Sequence, residues 1–75
     1  MKRCYEHGVN FFDTAEIYGF GQAETCMGQA IKELGWKRES IVVSTKLLKS
    51  GQGPNDMFLS RKHIIEGLNN SLKRL

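Results

Sequence analysis

The sequence has a single proline, a single tryptophan and only two histidines in 75 residues, and it contains no long apolar run. A helix that crosses a membrane needs about 20 consecutive, mostly apolar residues, so the absence of such a run excludes a transmembrane segment. The basic residues Lys2 and Arg3 precede no apolar stretch, so we expect neither a signal peptide nor a lipid anchor. The expected location is therefore the cytoplasm.

Cysteine and histidine are too sparse to indicate a disulfide framework or a metal centre. Cys4 and Cys26 form no Cys-x-x-Cys motif, and two isolated thiols in such a protein more often pack as small apolar groups than form a bridge. Neither His7 nor His63 has a second ligand four residues further along the chain, so no metal site is expected.

Charge is also too evenly distributed to indicate a polyanionic partner. The 11 Lys and Arg residues outnumber the 8 Asp and Glu residues, which gives a net charge of +3, but basic and acidic residues alternate along the chain. The sequence contains no basic arm and no basic patch interleaved with aromatics, so binding to nucleic acid is not expected.

Two segments have the composition of short strands. Residues 9–14 and 41–46 are rich in β-branched and aromatic side chains, a pattern typical of buried strands. Before the first of them, a helix is predicted to end near Tyr5, with Gly8 at its C-terminal cap.

Two further segments have the period of amphipathic helices. The first runs from Gln22 to Leu34 and is ended by Gly35, and the last begins after Ser60, a good N-cap residue. The predicted apolar face of the first helix consists of Ala23, Cys26, Met27, Ala30, Ile31 and Leu34. The predicted apolar face of the last helix consists of Ile64, Ile65, Leu68, Leu72 and Leu75.

The alternation of strands and helices predicts an α/β fold in which the two strands are parallel and the crossover is right-handed. Parallel sheets are normally covered on both faces or closed into a barrel, and two strands can do neither. We therefore expect residues 1–75 to form one partial domain that needs further strands.

Polar residues end both predicted strands, which is where parallel α/β proteins place their chemistry. Asp13 closes the first strand and Lys46 the second. Neighbouring parallel strands lie about 4.8 Å apart, so this carboxylate and this ammonium can pair. Tyr18, in the loop that follows Asp13, can fold back over them. A nearby cation favours a tyrosinate and eases release of its proton, which suits a general acid for a carbonyl oxygen.

The same three residues have a structural interpretation, in which Asp13 caps backbone amides, Lys46 is solvated and Tyr18 covers the edge of the fold. Spacing alone leaves both interpretations open. The nearby Gly19-Phe20-Gly21 begins like a dinucleotide fingerprint, but Glu24 occupies the position of the third glycine. We therefore interpret that segment as the entry to a helix.

Three segments resemble the aldo-keto reductase family. The segment from Gly8 to Gly19, GVNFFDTAEIYG, resembles the motif around the second barrel strand, and VSTK from Val43 to Lys46 resembles the end of the third. Residues 59–68, LSRKHIIEGL, are similar to the branch of that family that contains potassium-channel β subunits and their plant, fungal and bacterial relatives. The resemblance extends over essentially the whole chain, with its segments in the correct order.

The resemblance implies a (β/α)8 barrel, of which this chain is a fragment, that binds NADPH and transfers hydride to an aldehyde or ketone. By position, Tyr18 matches the general acid and Lys46 matches the residue that eases release of its proton. Asp13 matches the carboxylate that pairs with Lys46 and meets the nicotinamide ribose of the cofactor. The fourth catalytic position of the family, usually His and in the channel-subunit branch sometimes Asn, is expected beyond Leu75.

The resemblance leaves two functions open for the complete barrel. One is an NADPH-dependent reductase of small carbonyl compounds. The other is a regulatory subunit of a potassium channel that binds NADPH with little or no turnover and lies at the cytoplasmic side of the membrane; either protein could assemble as a homo-oligomer. The isolated 75-residue chain is expected to be inactive, because it lacks most of the cofactor site and leaves apolar helix faces bare.

Overall fold

The elements follow the predicted order in a computed structural model that describes every residue from 1 to 75. They are α1 Lys2–Glu6, β1 Phe11–Asp13, α2 Gln22–Leu34, a 3-10 helix at Arg38–Ser40, β2 Val42–Ser44 and α3 Arg61–Arg74. Each strand has only 3 residues, so the strands are shorter than the predicted segments 9–14 and 41–46. None of the helices is both long enough and apolar enough to cross a membrane.

The two strands form a parallel sheet, as predicted. Hydrogen bonds extend the pairing past both ends of the strands: Val42 N–H donates to the carbonyl of Asn10 at 2.8 Å, and Thr14 N–H donates to the carbonyl of Ser44 at 2.9 Å. The register pairs Phe11 with Val42, Phe12 with Val43 and Asp13 with Ser44. Because parallel strands run in the same direction, the carboxyl ends of β1 and β2 meet at one edge of the sheet.

Only one face of this sheet is covered. Phe12 is buried and stacks against Trp36, with ring centroids 5.6 Å apart, and Trp36 also stacks against Tyr5 of α1 at 4.2 Å. On the other face, Phe11 is 56% exposed and Val42 is 48% exposed. The prediction that both strands are buried is therefore wrong for this face, because no layer of the chain packs across it.

The predicted end of α2 and the predicted start of α3 are confirmed, whereas α1 has its C-cap at His7, one residue before the predicted Gly8. Gly35 follows α2 in the left-handed conformation with φ 63°, and Gly8 follows α1 with φ 92°, a backbone geometry that glycine adopts without strain. Ser60 caps α3, because its hydroxyl oxygen accepts a hydrogen bond of 3.0 Å from the N–H of His63. One backbone donor at the start of α3 is thereby satisfied by the side chain that the sequence indicated.

Helix α3 packs through a different face from the predicted one. Its buried residues are His63, Gly67 and Ser71, which lie four residues apart on one side of the helix. The predicted apolar side chains of this helix that remain exposed are Ile64, Ile65, Leu68 and Leu72. The apolar face is thus bare within this chain, as expected for part of a barrel, and the buried side of α3 is instead bound by Glu16 and Glu24.

Candidate active site

Asp13 lies at the end of β1 and binds two side chains of the neighbouring segment. Its Oδ1 accepts a hydrogen bond of 2.5 Å from the hydroxyl of Ser44, its partner in the strand register. Its Oδ2 accepts from the ammonium of Lys46 in a salt bridge. The hydrogen bond from Lys46, followed by that from Ser44, lowers the pKa of Asp13 below its ordinary value. Asp13 is therefore held as a carboxylate, and it does not cap backbone amides as the structural alternative supposed.

Lys46 connects Asp13 to the loop that contains Tyr18. Besides binding Asp13, its Nζ donates a hydrogen bond of 2.6 Å to the carbonyl of Thr14. The same Nζ lies 5.5 Å from the centroid of the Tyr18 ring, within the range of a cation–π contact. The structure thus brings together all three residues that the sequence singled out, and Lys46 is paired instead of simply solvated.

Tyr18 is fixed by its backbone, whereas its side chain remains accessible. The N–H of Tyr18 donates to the carbonyl of Ala15 at 3.1 Å, and its own carbonyl accepts from the N–H of Ala23 in α2 at 3.2 Å. The residue as a whole is 50% exposed. A phenol, an ammonium and a carboxylate are therefore gathered at the carboxyl edge of the sheet, on its open side, where they can exchange a proton with a bound oxygen compound.

A second group of polar residues lies buried beneath this edge, and sequence reasoning missed it. Glu16 is 1% exposed and its Oε1 lies 2.8 Å from Nε2 of His63, which is 3% exposed. The same Oε1 accepts a hydrogen bond of 2.6 Å from the N–H of Leu48. The sequence had excluded His63 as a metal ligand without giving it another role. The signal in the sequence that could have indicated a structural role is its position three residues after the N-cap Ser60, which places the His63 ring in the first turn of α3.

A third buried contact joins α2, α3 and the residue that follows β2. Glu24 is fully buried, and its Oε1 accepts a hydrogen bond of 2.6 Å from the hydroxyl of Thr45. Its Oε2 accepts a hydrogen bond of 2.7 Å from Nε of Arg74. Burial opposes ionisation of Glu24, but hydrogen bonds from Thr45, Ser71 and Arg74 outweigh it and lower its pKa. Glu24 occupies the position of the third glycine in a dinucleotide fingerprint, and the structure shows that it serves there as a buried hydrogen-bond acceptor.

The fold and this edge define a class of protein: a parallel βα unit with ionisable side chains gathered at the carboxyl edge of its sheet, which is where α/β enzymes place their active sites. Comparison with known proteins identifies the family within this class. The whole chain, residues 1–75, matches the Aldo/keto reductase family, and the chain belongs to that family. The fold of the family is a (β/α)8 barrel, of which the two parallel strands and their helices represent a part.

The similar proteins include members of the branch that the sequence indicated. One, from Oryza sativa subsp. japonica, is named "Probable voltage-gated potassium channel subunit beta" and is 63% identical over 75 residues. A protein of the same name from Arabidopsis thaliana is 65% identical over 75 residues. In both comparisons the match covers 100% of this chain and 23% of the relative. The chain therefore spans less than a quarter of the length of these relatives.

Proposed function

We propose that residues 1–75 are part of the domain of an NADPH-dependent aldo-keto reductase that reduces small aldehydes or ketones. The observation that carries this proposal is the cluster of Asp13, Tyr18 and Lys46 at the carboxyl edge of the sheet. Membership of the Aldo/keto reductase family supports it independently. Residues beyond this chain would supply the rest of the cofactor and substrate site.

Only one part of the cofactor, the nicotinamide ribose, would meet residues of this chain. The side chains of Asp13 and Lys46 are 49% and 52% exposed, so their pairing does not seal them from a ligand. An ionised carboxylate retains lone pairs for hydroxyl donors after it has accepted two hydrogen bonds, and Asp13 would accept from the nicotinamide ribose. Bound NADPH would supply the hydride for the reaction.

Tyr18 would then act as the general acid toward the carbonyl oxygen of the substrate. Its ring lies beside the Lys46 ammonium, and the positive charge stabilises the phenolate that remains after the proton has left. Asp13 has a second task, because its salt bridge and the carbonyl of Thr14 keep Lys46 in place. Tyr18 would therefore donate the proton, Lys46 would stabilise the charge that remains, and Asp13 would orient Lys46.

The names of the relatives favour a second candidate function, a potassium-channel β-type subunit that binds NADPH with little or no turnover. Such a protein would be cytoplasmic and peripheral at the membrane when bound to a channel, and it could form homo-oligomers. The same cluster would then contact the nucleotide without a carbonyl substrate. For the 75-residue chain by itself we propose no activity, since apolar side chains such as Phe11 and Leu72 are exposed.

The test uses a barrel chimaera, in which residues 1–75 replace the matched segment of the Arabidopsis thaliana relative, beside the 75-residue chain alone. NADPH binding is measured by fluorescence titration, folding by circular dichroism, and carbonyl reduction by loss of NADPH absorbance, with the unmodified relative as the reference. Binding and reduction by the chimaera would support the reductase, and binding without reduction would support the regulatory subunit. A folded chimaera that binds no NADPH would overturn both. Saturable binding by the 75-residue chain would refute its proposed inactivity.

A further inference from the structure

We propose that Glu16, through its buried contact with His63, is a positioning residue that holds Tyr18 in place relative to Lys46. The proposal rests on the proposed function, because it concerns the geometry of the same three residues. Glu16 does not itself reach the exposed edge, since it is 1% exposed. Its effect on the reaction would be indirect, through the backbone segments that it joins.

Glu16 is tied to Lys46 and to Leu48. Its backbone N–H donates to the carbonyl of Lys46 at 3.1 Å, and its side-chain Oε1 accepts from the N–H of Leu48 at 2.6 Å. One residue thus fixes the chain at positions 46 and 48 simultaneously. A shift of the segment after β2 relative to the loop after β1 would break both hydrogen bonds.

The contact with His63 anchors the same carboxylate to α3. Nε2 of His63 lies 2.8 Å from Oε1 of Glu16, and Nδ1 lies 3.2 Å from the carbonyl oxygen of Asn55. Both ring nitrogens of His63 therefore face oxygen atoms. The contact is buried, and a buried polar group that loses its hydrogen-bond partner is strongly disfavoured.

Close packing leaves this pair little room to move. Gly67 lies one turn after His63 on the buried side of α3, and a Cβ at this position would lie 3.2 Å from Oε2 of Glu16 and 3.2 Å from Cδ2 of Leu47. The missing side chain at Gly67 is therefore what allows α3 to approach the carboxylate so closely. This explains a glycine in a helix interior, where alanine would otherwise be favoured.

The anchored segment leads directly into the turn that contains Tyr18. Tyr18 follows Glu16 by two residues, and its N–H donates to the carbonyl of Ala15, the residue before Glu16. By contrast, the Asp13–Lys46 salt bridge is about half exposed, and exposed ion pairs contribute little to stability. The buried carboxylate of Glu16 is thus better placed than Asp13 to set the distance between the Tyr18 turn and the end of β2.

Glu16 can be replaced in a way that separates its hydrogen bonds from its charge. Oε2 is buried without a hydrogen-bond partner, so in Glu16→Gln the amide nitrogen can take its place while the amide oxygen still accepts at Oε1. Glu16→Ala removes the contacts of Oε1 with Leu48 and His63 and keeps the backbone hydrogen bond to Lys46. Glu24→Ala is the matched control, because Glu24 is equally buried and hydrogen-bonded but binds α2 and α3 to the covered face of the sheet through Thr45 and Arg74.

The experiment measures turnover and NADPH binding of these variants in the barrel chimaera. Because a displacement of about 1 Å can lower a rate by about 100-fold, we expect Glu16→Ala to lower kcat by about that factor and to leave the Kd for NADPH within about twofold. Glu16→Gln should restore most of the rate, and Glu24→Ala should destabilise the protein without this loss. If Glu16→Ala does not fold, Glu16→Asp, which withdraws the carboxylate by one methylene, should show a loss of about tenfold.

Hydrogen exchange measured by mass spectrometry supplies a readout that is independent of turnover. Peptides that cover residues 14–20 and 46–49 should exchange faster in Glu16→Ala but not in Glu24→Ala. A chimaera without turnover would overturn the proposed reductase, and the exchange data would still decide whether Glu16 holds the Tyr18 turn. An unchanged kcat in folded Glu16→Ala, an equal loss in Glu24→Ala, or exchange that rises uniformly along the chain would each overturn the positioning role.

Discussion

Thr45 and Lys46 are adjacent in the chain, yet they bind carboxylates on opposite faces of the sheet. Nζ of Lys46 donates to Asp13 on the open face, whereas Oγ1 of Thr45 donates to Glu24 at 2.6 Å on the covered face. This follows from the alternation of side chains along extended chain. One face of the segment after β2 thus anchors helices α2 and α3, and the other face remains available to a ligand.

Replacing the phenol of Tyr18 tests its role as the acid. In the barrel chimaera, Tyr18→Phe keeps the ring beside Lys46 but removes the proton, so carbonyl reduction should fall by about 10²- to 10⁴-fold. The affinity for NADPH should barely change, because only the proton-transfer step is lost. Turnover from absorbance and Kd from fluorescence titration check this. Undiminished turnover would show that Tyr18 is not the acid.

Replacing Lys46 tests whether its charge serves the reaction. Lys46→Met removes the ammonium that binds Asp13 and lies beside the Tyr18 ring, so reduction should slow and its pH profile should shift. Lys62→Met is the matched control, because Lys62 forms an exposed salt bridge with Glu66 on α3. The control should retain both the rate and the profile. A Lys46→Met variant with the original profile and full rate would remove Lys46 from the mechanism.

Local signals in the sequence were sufficient to locate the α-helices, the two strands, and the polar residues Asp13 and Lys46 at or just after the strand ends. Glycines that end helices, the serine that caps α3 and the strand composition act over a few residues, so Gly35 and Ser60 could be assigned from the chain alone. The meeting of Asp13 and Lys46 at one edge then followed from parallel pairing, which brings the carboxyl ends of both strands together, although Lys46 lies two residues after the end of β2.

The buried polar contacts could not be predicted in this way. Glu16 and His63 are 47 positions apart, and the periodicity of α3 favoured Ile64 and Leu68 as its packed face. In the structure the side of α3 that carries His63 and Gly67 is buried instead. A buried carboxylate requires a partner, and this side of the helix can approach Glu16 closely. The spacing of apolar residues indicates which face of a helix is apolar. It does not indicate whether the 75 residues of this chain contain a neighbour that covers that face.

Ser60 should contribute to stability through its cap. Its hydroxyl oxygen accepts the N–H of His63, so Ser60→Ala should lower the free energy of unfolding by about 1 kcal/mol. Ser60→Asp should retain most of the stability, because aspartate also accepts at an N-cap and its charge interacts favourably with the helix dipole. Urea denaturation of the chimaera, followed by circular dichroism, measures both. Equal stability of Ser60→Ala and the unmodified chimaera would contradict the cap.

Glu24 should make the stability of the barrel sensitive to acid. Because its pKa is lowered in the folded protein, the folded state binds its proton less readily than the unfolded state does. The stabilisation is therefore fully present above the unfolded value of about 4.3 and is lost as the pH falls through the lower folded value. Glu24→Gln should lower the free energy of unfolding at pH 7 by about 2 kcal/mol, since it weakens hydrogen bonds to a charged group.

Urea denaturation of the chimaera at a series of pH values from about 3 to 7 measures this dependence across the range in which carboxylates titrate. The stability of Glu24→Gln should fall less steeply below about pH 4.3 than that of the unmodified chimaera, because the linked proton has been removed. Glu33→Gln, at an exposed position of the same helix, should leave the curve in place. If Glu24→Gln and the unmodified protein lost stability in parallel, the buried contact with Thr45 and Arg74 would not be the source of the acid sensitivity.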